Sequence, residues 1–279
     1  MAYKSILTVL TDDTEVNAVL DAVIPFAADA KAHLDVLCLG IDRTQTGYYF
    51  AGATALMHDE TLAQAQAEAK RIEEAARDRL GRSDISWGVE ALVAQSASVT
   101  PVVARRARFA DLVMLPKPYG PDLPSDAPVL VESAMFQGQA PVIVIADGKP
   151  ATLNPKKIVV AWNESNEAMA AIRRAMPMLV AADLVNICII APERHGSETT
   201  DPGDELSKML SRHGATCEVS LLPQTLPRVS EVLKRHVADQ NADLLVMGAY
   251  GHSRFREAIL GGATRNMLEH CEVPVLMAH

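Results

Sequence analysis

Three stretches of the chain recur once each in similar form, in the same order. Each is a short apolar run of strand length, and the matching pairs are Lys4–Leu10 with Lys156–Trp162, Ala110–Met114 with Ala242–Val246, and Ala140–Val144 with Val273–Met277. Self-similarity on this scale predicts two homologous domains in tandem. We place them at residues 1–148 and 153–279, joined by the linker Asp147–Pro155.

The first copy is longer than the second between its first two landmarks. We assign the extra residues to Asp42–Thr61, ahead of a long helix rich in alanine, glutamine, glutamate and arginine that ends near Leu80. This insert carries Tyr48, Tyr49 and Phe50. The aromatic side chains either cover a pocket of the first domain or pack as an ordinary loop.

Apolar runs alternate with helical stretches in both copies. In the second copy the predicted strands are Ile158–Trp162, Leu184–Ile190, Thr216–Leu222, Asp243–Gly248 and Pro274–Ala278, and the predicted helices are Ser165–Leu179, Asp201–Gly214, Val229–Gln240 and Ala263–His270. Continuous apolar strands that alternate with helices are typical of a mainly parallel sheet covered on both faces. The sequence therefore predicts an α/β fold of two tandem, doubly wound, five-stranded domains.

Composition fits two domains and excludes several kinds of protein. At 279 residues and 49% hydrophobic content, the chain can build two cores. Its net charge of −9 argues against a general nucleic-acid or anionic-membrane binder. It has no secretory signal pattern and no apolar run of membrane-spanning length, so we expect a soluble, cytoplasmic protein.

Cysteines and histidines show no metal-binding spacing. The four cysteines, Cys38, Cys188, Cys217 and Cys271, form no Cys-x-x-Cys pair, and we expect reduced, mostly buried thiols. The eight histidines are scattered. The sequence therefore predicts no zinc or other metal site.

A glycine-spaced loop follows one predicted strand of the second copy. Gly248 and Gly251 come directly after the apolar run Ala242–Met247, and Gly261 precedes the helix at Ala263. Glycines allow close approach to a ligand, and free N–H groups at a turn and a helix start can bind an anion. Ligands of parallel sheets bind at the carboxyl ends of the strands, where this loop and the loop Asn163–Ser165 both lie.

The spacing Gly-x2-Gly-x9-Gly after Ala-Asp-Leu-Leu-Val-Met resembles the nucleotide-binding segment of the universal stress protein family. The resemblance covers nearly the whole chain as two copies and is sharp in the second. It implies ATP, with or without Mg²⁺, bound by the second copy. The residues that this resemblance implies are Asn163, Ser165, Ile189, Ile190, Met247, Gly248, Gly251, Gly261, Gly262, Thr264 and Arg265.

Three positions depart from the family pattern or carry a second explanation. Gly262 stands where the family has Ser or Thr, and Thr264 is the candidate replacement. Arg265 either adds charge to the anion site or is a solvated helix arginine. Asn163-Glu164-Ser165 replaces the family's Asp-Gly-Ser, and Ser165 either meets the ligand or only caps a helix.

Beside the adenine, the resemblance places the backbone of Ile189 and Ile190, with side chains that are core by default. Family members pair through their last strand, which implies an internal pseudo-dimer of the two copies. In that arrangement Pro141–Ile145 lies beside Pro274–Ala278. Further pairing of two chains into a homodimer is left open.

The first copy lacks the glycine loop. Pro116-Lys117-Pro118-Tyr119-Gly120-Pro121 stands in its place, and proline has no N–H to donate. Asp12 and Asp13 add negative charge where a phosphate would lie. We predict that this copy does not bind ATP in the family manner, and that it is a structural partner of the second copy or binds another small ligand.

No catalytic constellation stands out in the sequence. It contains no Gly-x-Ser-x-Gly elbow and no Gly-x4-Gly-Lys-Ser/Thr loop. The leading interpretation is an ATP-binding regulatory protein of the stress response, with slow or no hydrolysis. The alternatives are a scaffold or small-ligand sensor that binds no nucleotide and acts through domain and dimer contacts, and an enzyme that activates a substrate with ATP.

Overall fold

The computed structural model describes residues 3–43, 54–120, 123, 126–146, 151–191, 203–249 and 263–279. The chain divides into two compact units. The N-terminal unit holds residues 3–115 and 122–140, and the C-terminal unit holds 116–121 and 141–279. The predicted division near residue 150 concerns the sequence repeat and stays a prediction, since packing divides the chain elsewhere.

The N-terminal unit is a four-stranded parallel sheet in the order β3-β2-β1-β4. Its elements in chain order are β1 (Ser5–Leu10), α1 (Val16–Ala30), β2 (His33–Asp42), α2 (Thr54–Leu80), β3 (Ser86–Gln95), α3 (Val99–Ala107), β4 (Leu112–Leu115) and α4 (Ala127–Glu132), which a π-helical turn at Ser133–Gln137 extends. The long helix predicted to end near Leu80 is therefore present as α2. The aromatic residues 48–50 of the predicted insert lie outside the described residues.

The C-terminal unit is a six-stranded sheet in the order β5-β10-β9-β6-β7-β8. Its elements are β5 (Val142–Val144), β6 (Lys157–Ala161), α5 (Asn166–Ala181), β7 (Leu184–Ile190), α6 (Asp204–Arg212), β8 (Cys217–Leu222), α7 (Val229–Asp239), β9 (Leu244–Gly248), α8 (Ala263–His270) and β10 (Val275–Ala278). Strands β10, β9, β6, β7 and β8 run parallel. The predicted α/β class with mainly parallel strands is confirmed.

The fifth strand of the first repeat belongs to the C-terminal unit. Strand β5 pairs antiparallel with β10, with Ile143 opposite Leu276. This confirms the predicted pairing of the last strands of the two repeats. Each repeat contributes five strands, but packing groups them as four and six.

Helix ends follow the predicted signals with small shifts. Helix α5 continues past the predicted Leu179 to Ala181, with Pro177 inside it. Gly214 adopts φ 97° just after α6, which is the left-handed conformation expected of a glycine that ends a helix. The predicted start of α6 at Asp201 lies outside the described residues, and the described helix begins at Asp204 with Gly203 as its N-cap.

One aspartate makes the same contacts in both repeats. The Asp111 carboxylate accepts hydrogen bonds from the backbone N–H groups of Lys4 and Ser5, at 2.7 and 3.0 Å. The Asp243 carboxylate accepts from Lys156 and Lys157 at 2.8 and 3.0 Å. The recurring Ala-Asp-Leu sequence therefore ties the strand after the aspartate to the start of the repeat's first strand.

The C-terminal unit also contains a buried polar network. The Asn186 side-chain amide donates to Glu218 Oε1 at 2.7 Å and to Ser220 Oγ at 2.8 Å, both on β8. Its Oδ1 lies 2.8 Å from Nε2 of His236 on α7. Because the amide nitrogen faces the acceptors, Oδ1 accepts from His236, and the imidazole carries its proton on Nε2.

All four cysteines are free, and three of them are buried. Burial raises the pKa of Cys38 and of Cys188 to about 12, with Glu73 adding to the shift at Cys38. The prediction of reduced, mostly buried thiols is thus confirmed. Over the described part of the chain, no helix has the length and apolar character needed to cross a bilayer.

Removal of the Asp243 carboxylate should weaken the C-terminal unit. Asp243→Ala leaves two strand N–H groups without their charged acceptor, and we expect a loss of about 1–2 kcal/mol in the free energy of unfolding. The chain has two tryptophans. In a Trp87→Phe background, urea unfolding followed by Trp162 fluorescence reports on the C-terminal unit. Asp183→Ala, an exposed aspartate, is the control, and equal losses in both variants would contradict this account.

Acid should also destabilise this unit through His236. Burial lowers the pKa of His236 below 6.5, against the opposing influence of Asp239 and Glu218. The unfolded chain therefore binds more protons just below pH 6.5, so the free energy of unfolding falls as the pH drops from about 7 to about 5. Trp162-monitored unfolding should show a shallower fall for His236→Gln. The exposed His213→Gln should keep the wild-type slope, and equal slopes for all three proteins would refute the mechanism.

Candidate functional site

The turn Asn163–Ser165 and the carboxyl end of β9 lie at one edge of the C-terminal sheet. Strand β6 lies between β9 and β7, with Ala161 beside Met247 on one side and Cys188 on the other. From β6 the chain moves to β7 and β8, then crosses back to β9. The carboxyl ends of β6 and β9 therefore form the topological switch point, where open parallel sheets bind ligands.

A tight turn follows β6. The Asn163 Oδ1 accepts from the N–H of Ser165 at 3.3 Å. The Ser165 hydroxyl accepts from the N–H of Ala168 at 3.1 Å and so caps α5. The capping role of Ser165 is thus confirmed, whereas its contact with a ligand stays a prediction. Asn163 itself is exposed at the sheet edge.

Glu164 has a left-handed backbone. Its φ is 61°, and it stands where the family sequence has glycine. Non-glycine residues pay about 1–2 kcal/mol in this conformation because Cβ crowds the following carbonyl oxygen. The turn keeps the shape that glycine favours although the glycine itself is gone.

Gly248 makes room for a helix. A Cβ at this position would lie 2.4 Å from the backbone nitrogen of Ala168 and 2.6 Å from the carbonyl carbon of Glu167. The first turn of α5 therefore packs directly against the end of β9. Close helix packing therefore requires glycine at position 248, and the close ligand approach that the sequence suggested stays a prediction.

The first amide of the glycine loop is already bonded. The Ala249 N–H donates to the carbonyl oxygen of Ala278 at 3.1 Å, and the Ala249 carbonyl accepts from Nδ1 of His279 at 3.0 Å. This N–H is thus engaged in the sheet. Sequence reasoning missed His279, because its partner is a backbone carbonyl that no side-chain pattern marks.

Two candidate residues lie at the start of α8. Thr264 is buried, with 3% of its surface exposed. Arg265 is exposed, and its Cζ lies 5.0 Å from the centre of the Tyr119 ring. Arg265 therefore makes an aromatic contact that the sequence did not indicate, and its predicted role toward an anion stays a prediction. Sequence reasoning missed Tyr119, since it belongs to the other repeat.

The remaining predicted residues divide into two groups. Met247 and Ile189 have buried side chains, whereas Ile190 is partly exposed at the end of β7. Their side chains are core or near-core, as the sequence led us to expect. Gly251, Gly261 and Gly262 lie outside the described residues, so their place in the site stays a prediction.

The equivalent edge of the first repeat is filled by a helix. A Cβ on Gly40, near the end of β2, would lie 2.0 Å from the carbonyl oxygen of Ala65 on α2. By the sheet registers, Gly40 matches Ala191, next to the predicted adenine position. Helix α2 therefore lies against the position of the first repeat that corresponds to the predicted adenine position of the second.

Charges at the end of β1 oppose an anion. Thr14 donates its hydroxyl and its N–H to Asp12 Oδ1, at 2.7 and 2.8 Å, and these bonds lower the pKa of Asp12. Arg71 pairs with Asp13 at 3.1 Å. The ionised Asp12 is unfavourable for an anion here, while Arg71 offsets the charge of Asp13, and the absence of ATP binding in the first repeat stays a prediction.

Other features of the molecule do not form part of the site. Among the described residues, no cluster of His, Cys, Asp or Glu could hold a metal ion. A cavity of about 810 Å³ in the C-terminal unit is lined by Arg235, Asp243 and Cys271, among others. Asp243 precedes β9, so this cavity lies near the amino ends of the strands, opposite the edge where parallel sheets bind ligands.

Fold and strand order together define an α/β protein whose parallel strands have a topological switch point at β6 and β9. The model of the universal stress protein family matches residues 224–279. A universal stress protein of Synechocystis sp. is 28% identical over 135 residues, which cover 46% of each chain, so the match spans about half the length of that curated relative. In these stretches the chain is similar to the universal stress protein family.

Solved structures agree on the fold over the whole chain. A universal stress protein from Archaeoglobus fulgidus aligns with 98% of this chain and 95% of its own, at a TM-score of 0.64 and 15% identity. A functionally unknown protein from Pseudomonas aeruginosa aligns with 99% of this chain and 92% of its own, at 0.59 and 18%. At these identities the likeness shows the fold alone.

Restoring glycine in the turn after β6 should stabilise the C-terminal unit. Glu164→Gly removes the left-handed strain, and we expect a gain of about 0.5–1 kcal/mol in the free energy of unfolding. The matched change Glu167→Gly, in the first turn of α5, should instead cost up to about 1 kcal/mol. Trp162 fluorescence during urea unfolding measures both. A loss of stability in Glu164→Gly would mean that the carboxylate makes a compensating contact.

Proposed function

We propose that the C-terminal unit binds ATP and that the protein acts as a nucleotide-dependent regulator in the stress response. The observation that carries this proposal is the meeting of the Asn163 turn and the end of β9 at the switch point of the sheet. The glycine sequence that continues from β9 leads into α8, which begins with Thr264 and Arg265.

Chemistry at this edge suits an adenine nucleotide. Asn163 keeps an exposed amide that can donate and accept, as recognition of a base or ribose requires. Gly251, Gly261 and Gly262 supply the predicted backbone donors for phosphate, and Arg265 supplies positive charge at the start of α8. In this proposal the adenine lies beside the backbone of Ile189 and Ile190.

Regulation fits this arrangement better than efficient catalysis. Bound ATP stabilises the form of the protein that holds it, by mass action. The sequence carries neither a nucleophile elbow nor a phosphate loop with its lysine. We therefore propose slow or no hydrolysis. A cytoplasmic location, the absence of nucleic-acid and membrane partners and the formation of a homodimer belong to the same proposal.

A second candidate is a scaffold that binds no nucleotide. It is favoured by the Ala249 N–H, which is engaged by Ala278, and by Glu164 in a glycine conformation. The first leaves one backbone donor fewer for a ligand, and the second is a departure from the family sequence in the turn after β6. Such a protein would act through its surface.

Nucleotide content of the purified protein decides between these candidates. Denaturation followed by mass spectrometry identifies released nucleotide, and calorimetry of the stripped protein with ATP and magnesium measures affinity. We expect near one ATP per chain. Gly251→Val should abolish binding without unfolding, because its side chain fills the phosphate position. Gly88→Val, which adds the same side chain to β3, is the control and should bind as wild type does.

Two other outcomes change the conclusion. No released nucleotide, with no binding up to millimolar ATP, would favour the scaffold. Undiminished ATP affinity in Gly251→Val would mean that the phosphates lie elsewhere in the unit.

A further inference from the structure

A loop of the first repeat packs within the C-terminal unit. Residues 116–121, which stand where the second repeat has its glycine loop, group with residues 141–279. Pro118 is buried there, and Tyr119 beside it is partly exposed. The Tyr119 ring lies 5.0 Å from the guanidinium carbon of Arg265 on α8.

This distance is within the range of a cation–π contact. Arg265 is exposed, and its contact with the Tyr119 ring restricts its side chain on the surface of α8. A guanidinium stacked by its face still has N–H donors along its edge. The contact therefore fixes the arginine while leaving it able to bind an anion.

We propose that Tyr119 is a positioning residue for the nucleotide site, holding Arg265 ready for the phosphates of a nucleoside di- or triphosphate. This inference rests on the proposed function and adds a regulatory dependence of the second repeat's site on the first repeat. The proline-rich loop that cannot itself line up amide donors supplies the aromatic ring instead.

The contact with Tyr119 acts by lowering the entropy that the Arg265 side chain loses when it binds an anion. A free arginine gives up rotamer entropy when it binds an anion, whereas one already stacked has given up part of it beforehand. Buried Pro118, with its fixed φ, places the Tyr119 ring and so extends the same effect to the loop. Loss of an exposed cation–π contact corresponds to an approximately two- to fivefold weaker affinity.

The test is a double-mutant cycle on the full chain, read out with two ligands. Calorimetry measures the affinity for ATP. Displacement of a fluorescent ATP analogue measures the affinity for adenosine, which has no phosphate. The proteins are wild type, Tyr119→Leu, Tyr119→Phe, Arg265→Gln and the Tyr119→Leu/Arg265→Gln double variant. Trp162-monitored unfolding checks that each one is folded.

We expect Tyr119→Leu to weaken ATP binding about two- to fivefold and to leave adenosine unchanged. Tyr119→Phe keeps the ring and should match wild type. In the Arg265→Gln background, Tyr119→Leu should have no further effect, since it acts through the arginine.

Three results would overturn the inference while leaving ATP binding in place: an unchanged ATP affinity in Tyr119→Leu, equal weakening of ATP and adenosine, or a full Tyr119→Leu effect in the Arg265→Gln background. Failure of the wild-type protein to bind either ligand would overturn the proposed function itself, and this inference with it.

Discussion

The carboxylates of Asp111 and Asp243 hold each repeat together at its amino edge. Each aspartate stands just before the fourth strand of its repeat. Its carboxylate accepts hydrogen bonds from two backbone N–H groups at the start of the first strand of the same repeat. The fourth strand pairs with the first in both repeats. Since the candidate ligand edge is formed by the opposite ends of these strands, these bonds help to fix the strands whose ends lie side by side there.

Local patterns in the sequence were enough to predict the class of fold and the Ser165 cap, because apolar runs and helix-start residues are recognisable within a few positions. The β5–β10 pairing was predicted from the family resemblance and not from local pattern. The packing of β5 and of residues 116–121 in the C-terminal unit was not predictable in this way. Both depend on contacts between residues more than a hundred positions apart, and local periodicity carries no such information.

The candidate site divides along the same line. Asn163, Ser165 and Gly248 could be placed at the sheet edge from strand order alone, yet the reason for Gly248 could not, because it lies in how closely α5 approaches β9. The engaged N–H of Ala249 and the ring of Tyr119 escaped prediction for a similar reason. Their partners, Ala278 and Arg265, come from distant parts of the chain.

The pairing of β5 with β10 has a consequence for the order of folding during synthesis. Ile143 emerges long before its partner Leu276, and at typical elongation rates the delay is roughly ten seconds. During that time the first repeat's last strand has no β10 to pair with, although its own repeat is complete. The pairing of β5 with β10 can therefore form only after the strand at Val275–Ala278 has been synthesised.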